Sequence, residues 1–258
     1  MKTLIVIPSY NRPYEIKKKI GYWIEEIKNA DVRVFICPDQ AMYYEQALDP
    51  KYIVLGEKQG GVGGYVAQLA FAKKWAEENG YEYIIKCDDD MVFKCNGVKK
   101  PDQGKRIDES ILLFEERFEA DINLAAIAYC GPMEYLHGDK QSFKPRNKHF
   151  SGNYVIRLNR WFILKDVHIL EDMYVWLEIK DKRLGYCETY LGLYQDAALG
   201  SNEGGLQSFD RMKMSLDAYN TLKDKYYPHL FLKDKEKFKD KVKYDMGKLV
   251  DTAYYKKL

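Results

Sequence analysis

Three carboxylates stand in a row at Asp88-Asp89-Asp90, directly after the apolar run Tyr83-Ile84-Ile85-Lys86-Cys87. A short run of this kind reads as a buried strand. Adjacent anions repel one another, so the triplet asks for a compensating cation. Alternate side chains of an extended chain point the same way, which lets Asp88 and Asp90 converge on one ion while Asp89 turns elsewhere. Hard oxygen ligands at a strand exit suit Mg²⁺ or Mn²⁺, and an ion held there can grip a diphosphate. The plainer alternative is a solvated acidic turn.

The elements that must position such a site can be read along the chain. Leu4 to Ile7 is a first buried strand, followed by the loop Pro8-Ser9-Tyr10-Asn11-Arg12-Pro13 and a helix carrying Ile16, Ile20, Trp23, Ile24 and Ile27 on one face. Val32 to Cys37 and Tyr52 to Leu55 are the second and third strands. Gly60-Gly61-Val62-Gly63-Gly64 opens a helix whose stripe Val62, Val66, Leu69 and Ala76 faces inward, with Gly80 as its stop. Tyr83 to Cys87 is the fourth strand. Strands alternating with helices predict an α/β protein with a mostly parallel sheet covered on both faces. Further on, helices are expected at Asp108 to Phe118 and Asp172 to Leu184, and strands at Ala125 to Cys130 and Asn153 to Leu158. A helical C-terminal segment should repeat apolar groups at Phe209, Met212, Leu216 and Tyr219, then at Phe238, Val242, Met246, Leu249 and Val250. Gly97 to Arg106 and Gly200 to Gly205 read as loops.

Composition bounds the possibilities. A chain of 258 residues with 46% hydrophobic residues suits one large domain, or one domain with an appendage. The net charge of +2 announces no global attraction to nucleic acid. Five scattered cysteines without a CxxC pair suggest a reducing compartment. No run has the length of a transmembrane helix and no leader precedes the first strand, so the expectation is a cytoplasmic protein without membrane insertion.

Ligands collect at the C-terminal ends of the strands in a parallel α/β sheet. The loop Pro8 to Arg12 follows the first strand, Asp39 the second, the glycine cluster the third and the acidic triplet the fourth. Four loops on one edge make a stronger case than any one motif. In this order and spacing, residues 1–92 resemble the nucleotide-sugar-binding half of a GT-A glycosyltransferase of the family-2-like group. The resemblance implies a UDP-sugar donor, with Pro8, Tyr10, Arg12 and Asp39 around base and ribose. It implies that Asp88 and Asp90 hold a divalent metal, Mn²⁺ or Mg²⁺, and its diphosphate, with Asp89 beside them. Arg12 can meet phosphate and Asp39 can accept hydrogen bonds from base or ribose. The glycine cluster lacks GxxxxGK[ST] and GxGxxG spacing; Gly63 would let the backbone approach the donor, or would serve close helix–sheet packing.

Residues 93–200 would form the acceptor half and residues 201–258 a helical segment packed on the catalytic unit. Leu170-Glu171-Asp172-Met173 resembles the Glu-Asp pair that precedes a helix in inverting GT-A enzymes, which implies Asp172 as the base that deprotonates the acceptor hydroxyl and Glu171 as a neighbour that orients it or contacts the acceptor. Asp172 as a simple helix cap is the alternative. GT-A enzymes often take a third metal ligand from this half, but His137, His149, His168 and His229 have no diagnostic context. The loop at Gly200 to Gly205 would be a lid over the donor or a plain connection.

The Ser-Tyr-Asn-Arg-Pro opening, the triplet and the Glu-Asp-Met segment also resemble the phage TET-associated glycosyltransferases, which include β-glucosyl-hydroxymethylcytosine glucosyltransferases. That likeness implies glucose as the sugar, DNA carrying modified cytosine as the partner and a host cytoplasm as the compartment. Lysine at every second position from Lys233 to Lys243, including Lys235, Lys237, Lys239 and Lys241, would meet phosphates, as would Lys105 and Arg106 beside the metal loop. A solvated helix face of alternating charge explains the tail equally well. A cell-surface polysaccharide or glycolipid acceptor, or nucleotide-sugar binding without transfer, are the rival readings.

Overall fold

The computed structural model describes residues 2–57, 64–94, 102–130, 143–145, 152–168, 171–195 and 211–226. Nine strands form one sheet among these residues: β1 Thr3–Pro8, β2 Asp31–Ile36, β3 Ile53–Leu55, β4 Tyr83–Lys86, β5 Met91–Lys94, β6 Leu124–Cys130, β7 Phe143–Pro145, β8 Tyr154–Arg157 and β9 Gly185–Gln195. The order is β3-β2-β1-β4-β8-β6-β9-β5, with β7 added on β9. The α/β class is as expected. The first four strands to pair, β3-β2-β1-β4, are all parallel. Beyond β4 the sheet becomes mixed: β8 runs antiparallel to β4 and to β6, β9 parallel to β6, and β5 antiparallel to β9.

Side chains alternate between two cores because the strand period is two. Leu4, Val6 and Ile84 face one side, Ile5, Ile7 and Ile85 the other. The first side is covered by α4 Gly64–Glu78, α6 Glu171–Asp181 and α7 Arg211–Tyr226. The second is covered by α1 Pro13–Lys19, α2 Gly21–Ile24 and α5 Gln103–Ala120, through Ile16, Ile20, Trp23, Ile107, Ile111 and Phe118. Helix α3, Ala41–Glu45, packs Tyr44 into that second core. The helix read from Ile16 to Ile27 is thus two short helices, with Gly21 opening the second.

Helix α4 buries Val66, Leu69 and Ala76 as its periodicity predicts, while Val62 lies outside the described residues. It stops at Gly80, whose φ of 71° is the left-handed conformation that glycine adopts without cost. Helix α5 starts at Gln103, inside a segment read as loop. The strand β9 occupies residues for which periodicity gave no strand. In α7 the core-facing set is Met214, Ala218, Leu222 and Tyr226, with Tyr219 partly buried beside them. Phe209 and the side chains of Met212 and Leu216 lie outside the described residues, as does the apolar set from Phe238 onward. Among the described residues no helix is long and apolar enough to cross a membrane.

Candidate active site

The loop after β1 turns at Asn11, which has a positive φ of 56°. Asparagine tolerates this conformation better than most residues. Its backbone N–H donates to Gln40 Oε1 at 3.0 Å, and Gln40 Nε2 donates back to Asn11 Oδ1. The amide pair thereby ties the β1 loop to the turn that follows β2. The turn aims Arg12 back across the strand ends, where Nη1 lies 2.8 Å from Asp89 Oδ1 and 3.2 Å from Asp90 Oδ2. A relay completes this corner. The Arg12 N–H donates to the Tyr44 hydroxyl at 3.1 Å, Tyr44 lies 2.6 Å from Ser9 Oγ, and Ser9 donates to Asp89 Oδ2 at 2.6 Å.

Burial pushes the Asp89 carboxyl up to about 6, even with Arg12 and Ser9 pulling the other way. Burial also works against the Arg12 guanidinium, but Asp89 and then Asp90 hold its pKa above the ordinary arginine value.

Asp88 turns the other way. Its Oδ1 lies 2.6 Å from Lys86 Nζ and 3.2 Å from the Tyr65 hydroxyl, and its backbone N–H donates to Asn153 Oδ1 at 2.7 Å. Lys86 is fully buried and also reaches Glu171 Oε1 at 3.0 Å and the Gly152 carbonyl. Tyr65, one residue into α4, shares its hydroxyl with that same Glu171 oxygen at 3.1 Å. Desolvation opposes a charged Lys86, yet Asp88, Tyr65 and Glu171 leave its pKa well above the usual lysine value. Burial raises the Asp88 carboxyl despite Lys86. The 32% of its side chain that stays exposed lets water temper that rise.

Helix α6 begins at Glu171, so Asp172 sits inside its first turn rather than at the cap, with Oδ1 accepting the Met173 N–H at 2.8 Å. Burial, then repulsion from Glu171, pushes the Asp172 carboxyl up to about 7.

The structure therefore brings Arg12, Asp88, Asp89, Asp90, Glu171 and Asp172 together at one end of the sheet. Pro8 ends β1 and is buried, Tyr10 is half-buried in the same loop, and Asp39 is exposed just past β2, all on this edge. Lys105 and Arg106 are not brought to it. Lys105 donates its backbone N–H to Glu26 at 2.9 Å, Arg106 pairs with Glu109 at 3.6 Å, and Asp108 holds the backbone of Lys28 and Asn29. Glu26, Lys28 and Asn29 precede β2, at the N-terminal edge of the parallel strands. Gly63, Lys235, Lys237, Lys239, Lys241, His137, His149 and His229 lie outside the described residues, while His168 is half-buried just before α6.

Sequence reasoning passed over Lys86, Tyr65, Tyr44, Gln40 and Ser9. A signal existed for Lys86. A lysine inside an apolar strand is almost never buried without a paired anion, and Asp88, two positions on, shares its side of the strand.

Five carboxyl groups meet two cations here among the described residues, and the acids whose pKa values move all move upward. That surplus of hard oxygen donors fits a divalent cation. Among the described residues, however, no group of three or more His, Cys, Asp or Glu side chains is arranged so that it could hold a metal ion. One or two carboxylates with the rest of the shell supplied by phosphate oxygens is the pattern Mg²⁺ and Mn²⁺ accept.

No protein-family profile matches the sequence, and no curated protein matches it. A solved structure does share its fold. Residues 1–349 of S. aureus TarS in complex with UDP-GlcNAc superpose with a TM-score of 0.51 at 13% identity, covering 86% of this chain and 65% of that one. The same TarS segment without ligand gives 0.47 at 13% identity over 77% and 59%, and A197 from STIV gives 0.43 at 14% identity over 76% and 86%. The chain spans less than two thirds of the TarS segment. It shares the fold of that TarS segment, the GT-A type of α/β sheet expected from the sequence.

Proposed function

We propose that the protein is a metal-dependent inverting glycosyltransferase that moves a sugar, glucose in this reading, from a UDP-sugar to a hydroxyl acceptor. The supporting observation is the meeting of an arginine-bearing loop, an acidic triplet and a carboxylate pair at the strand ends of a GT-A sheet. Residues 1–92 are the donor half, residues 93–200 the acceptor half, and residues 201–258 a helical segment against them. Pro8, Tyr10 and Asp39 line the base and ribose, and Gly63 lets the backbone approach the donor. Asp88 and Asp90 are the residues that would hold the cation, whose positive charge would offset the negative charge developing on the departing diphosphate. Arg12 keeps Asp89 and Asp90 in place from the protein side.

Asp172 takes the proton from the acceptor hydroxyl. The acceptor oxygen then forms its bond to the anomeric carbon as the bond to the diphosphate breaks, and one displacement inverts the configuration. A carboxyl with a pKa near 7 is a stronger base than an ordinary aspartate and still ionises near neutral pH.

The acceptor in this reading is a hydroxymethylcytosine-linked sugar on DNA. It rests on the family resemblance and on the lysines at 235, 237, 239 and 241, because Lys105 and Arg106 stand at the far edge. Calorimetry of UDP binding with Mn²⁺ and with excess chelator tests the donor side; equal affinity in both would remove the metal from the proposal. Transfer to glucosylated, hydroxymethylated and plain duplexes, compared with free or lipid-linked saccharides, tests the acceptor. Turnover on saccharides alone would replace DNA by a carbohydrate acceptor, and UDP binding without turnover on any of them would leave a nucleotide-sugar-binding protein.

A further inference from the structure

Lys86 has a role that the donor and base assignments do not use. Its side chain is fully buried beneath the site, where an unpaired ammonium would cost several kcal/mol. An ammonium has three N–H bonds, and Lys86 has three acceptors for them: Asp88 at 2.6 Å, Glu171 at 3.0 Å and the Gly152 carbonyl. None is left for a substrate. The three acceptors come from the β4 exit, the start of α6 and the approach to β8. The Tyr65 hydroxyl spans the same two carboxylate oxygens, at 3.2 Å from Asp88 and 3.1 Å from Glu171. Two anions from opposite halves of the site are thus held side by side, and they would repel without the ammonium between them.

We propose that Lys86 is a positioning residue that clamps the donor-side carboxylate Asp88 to the acceptor-side pair Glu171–Asp172, so that the base is set relative to the donor rather than by its own helix alone. This inference rests on the glycosyltransferase reading. Glu171 is the link, because it precedes Asp172 on α6 and is itself bonded to Lys86. When the ammonium is removed, Glu171 and Asp88 separate and the first turn of α6 moves with Glu171. The same removal leaves Asp88 more negative and no less able to hold a cation.

The test is the split between donor binding and turnover in Lys86→Met, which fills similar volume without charge. Mn²⁺–UDP affinity by calorimetry should stay within about threefold of the unaltered protein or tighten. Turnover (kcat for UDP release from UDP-glucose or UDP-GlcNAc with the acceptor that supports it) should fall at least tenfold. Glu171→Gln should show the same split, and the double variant should lose little more than either single one, since both act through one contact. If Lys86→Met does not fold, Glu171→Gln alone carries the test. Loss of Mn²⁺–UDP affinity in a folded Lys86→Met would assign Lys86 to the donor itself and overturn the proposal. Unchanged turnover, or losses that simply add in the double variant, would overturn it too. An unaltered protein that binds no Mn²⁺–UDP would bring down the glycosyltransferase reading and this inference with it, whereas intact donor binding with any of the preceding failures would bring down this inference alone.

Discussion

The Arg12 guanidinium lies 2.8 Å from Asp89 and 3.2 Å from Asp90, across 77 and 78 positions of sequence. The contact closes the site by joining the loop after β1 to the loop after β4. The Arg12 side chain is only 10% exposed, and those of Asp89 and Asp90 are 7% and 6% exposed. Asp89 and Asp90 therefore both face inward on Arg12, with Asp89 bonded to Ser9 as well. Asp88 rather than Asp89 is the acid that turns away from the other two, toward Lys86, because the buried ammonium lies on its side of the strand.

Arg12→Met should leave two buried carboxyl groups without their cation. Removing one partner of a buried pair typically costs about 3–5 kcal/mol. Urea unfolding should show a loss of that order, smaller below about pH 5, where Asp89 takes up a proton. A loss under about 1 kcal/mol at neutral pH would mean the pair is solvated.

Asp172→Asn keeps the shape and the hydrogen bond from Met173 but removes basicity. Turnover should fall by roughly a hundredfold or more, the scale of a positioned base, with Mn²⁺–UDP affinity preserved. The unaltered enzyme should gain activity as pH rises, with a midpoint near 7 set by the Asp172 carboxyl. A flat profile from pH 5 to 9, or product with retained anomeric configuration, would place the base elsewhere.

The same groups set the pH dependence of stability in the ligand-free protein. Asp89 and Asp172 rise from an ordinary 3.8 to about 6 and about 7 in the folded state. Between pH 4 and 7 the folded protein therefore binds more protons than the unfolded chain, so these two groups make stability fall as pH rises. Urea midpoints measured across that range should decline more steeply in the unaltered protein than in Asp172→Asn. Parallel curves for the two would show that Asp172 titrates normally.

Gly152 offers no room for a side chain. A Cβ there would stand 2.9 Å from Asp88 Oδ2 and 3.4 Å from Lys86 Nζ. Gly152→Ala should push Asp88 aside, weaken Mn²⁺–UDP binding and cost about 1–3 kcal/mol in stability, the range for overpacking. Calorimetry and thermal melting read the two effects separately. Full affinity would show that the carboxylate moves without consequence.

Much of the donor half is written in local pattern. The runs Leu4–Ile7 and Tyr83–Ile85 are apolar on both faces because helices cover both, and Gly80 ends α4 because a left-handed residue is needed there. The Asp88–Asp90 triplet, the Arg12 loop and Glu171–Asp172 could each be named from residue type and position. Their distant partners could not be. The Lys86–Asp88 pair, two positions apart, is local, but Asp89 meets Arg12 77 positions away and Lys86 meets Glu171 85 positions away, because strand order and the placement of α6 set those distances. Lys105 shows the opposite case. It is near the triplet in sequence, yet α5 carries it to Glu26 at the other edge of the sheet. Periodicity reports which way a side chain points from its own element, and that choice is local. Which charges then share one low-dielectric space depends on chain closure over long separations, and the tertiary structure decided it.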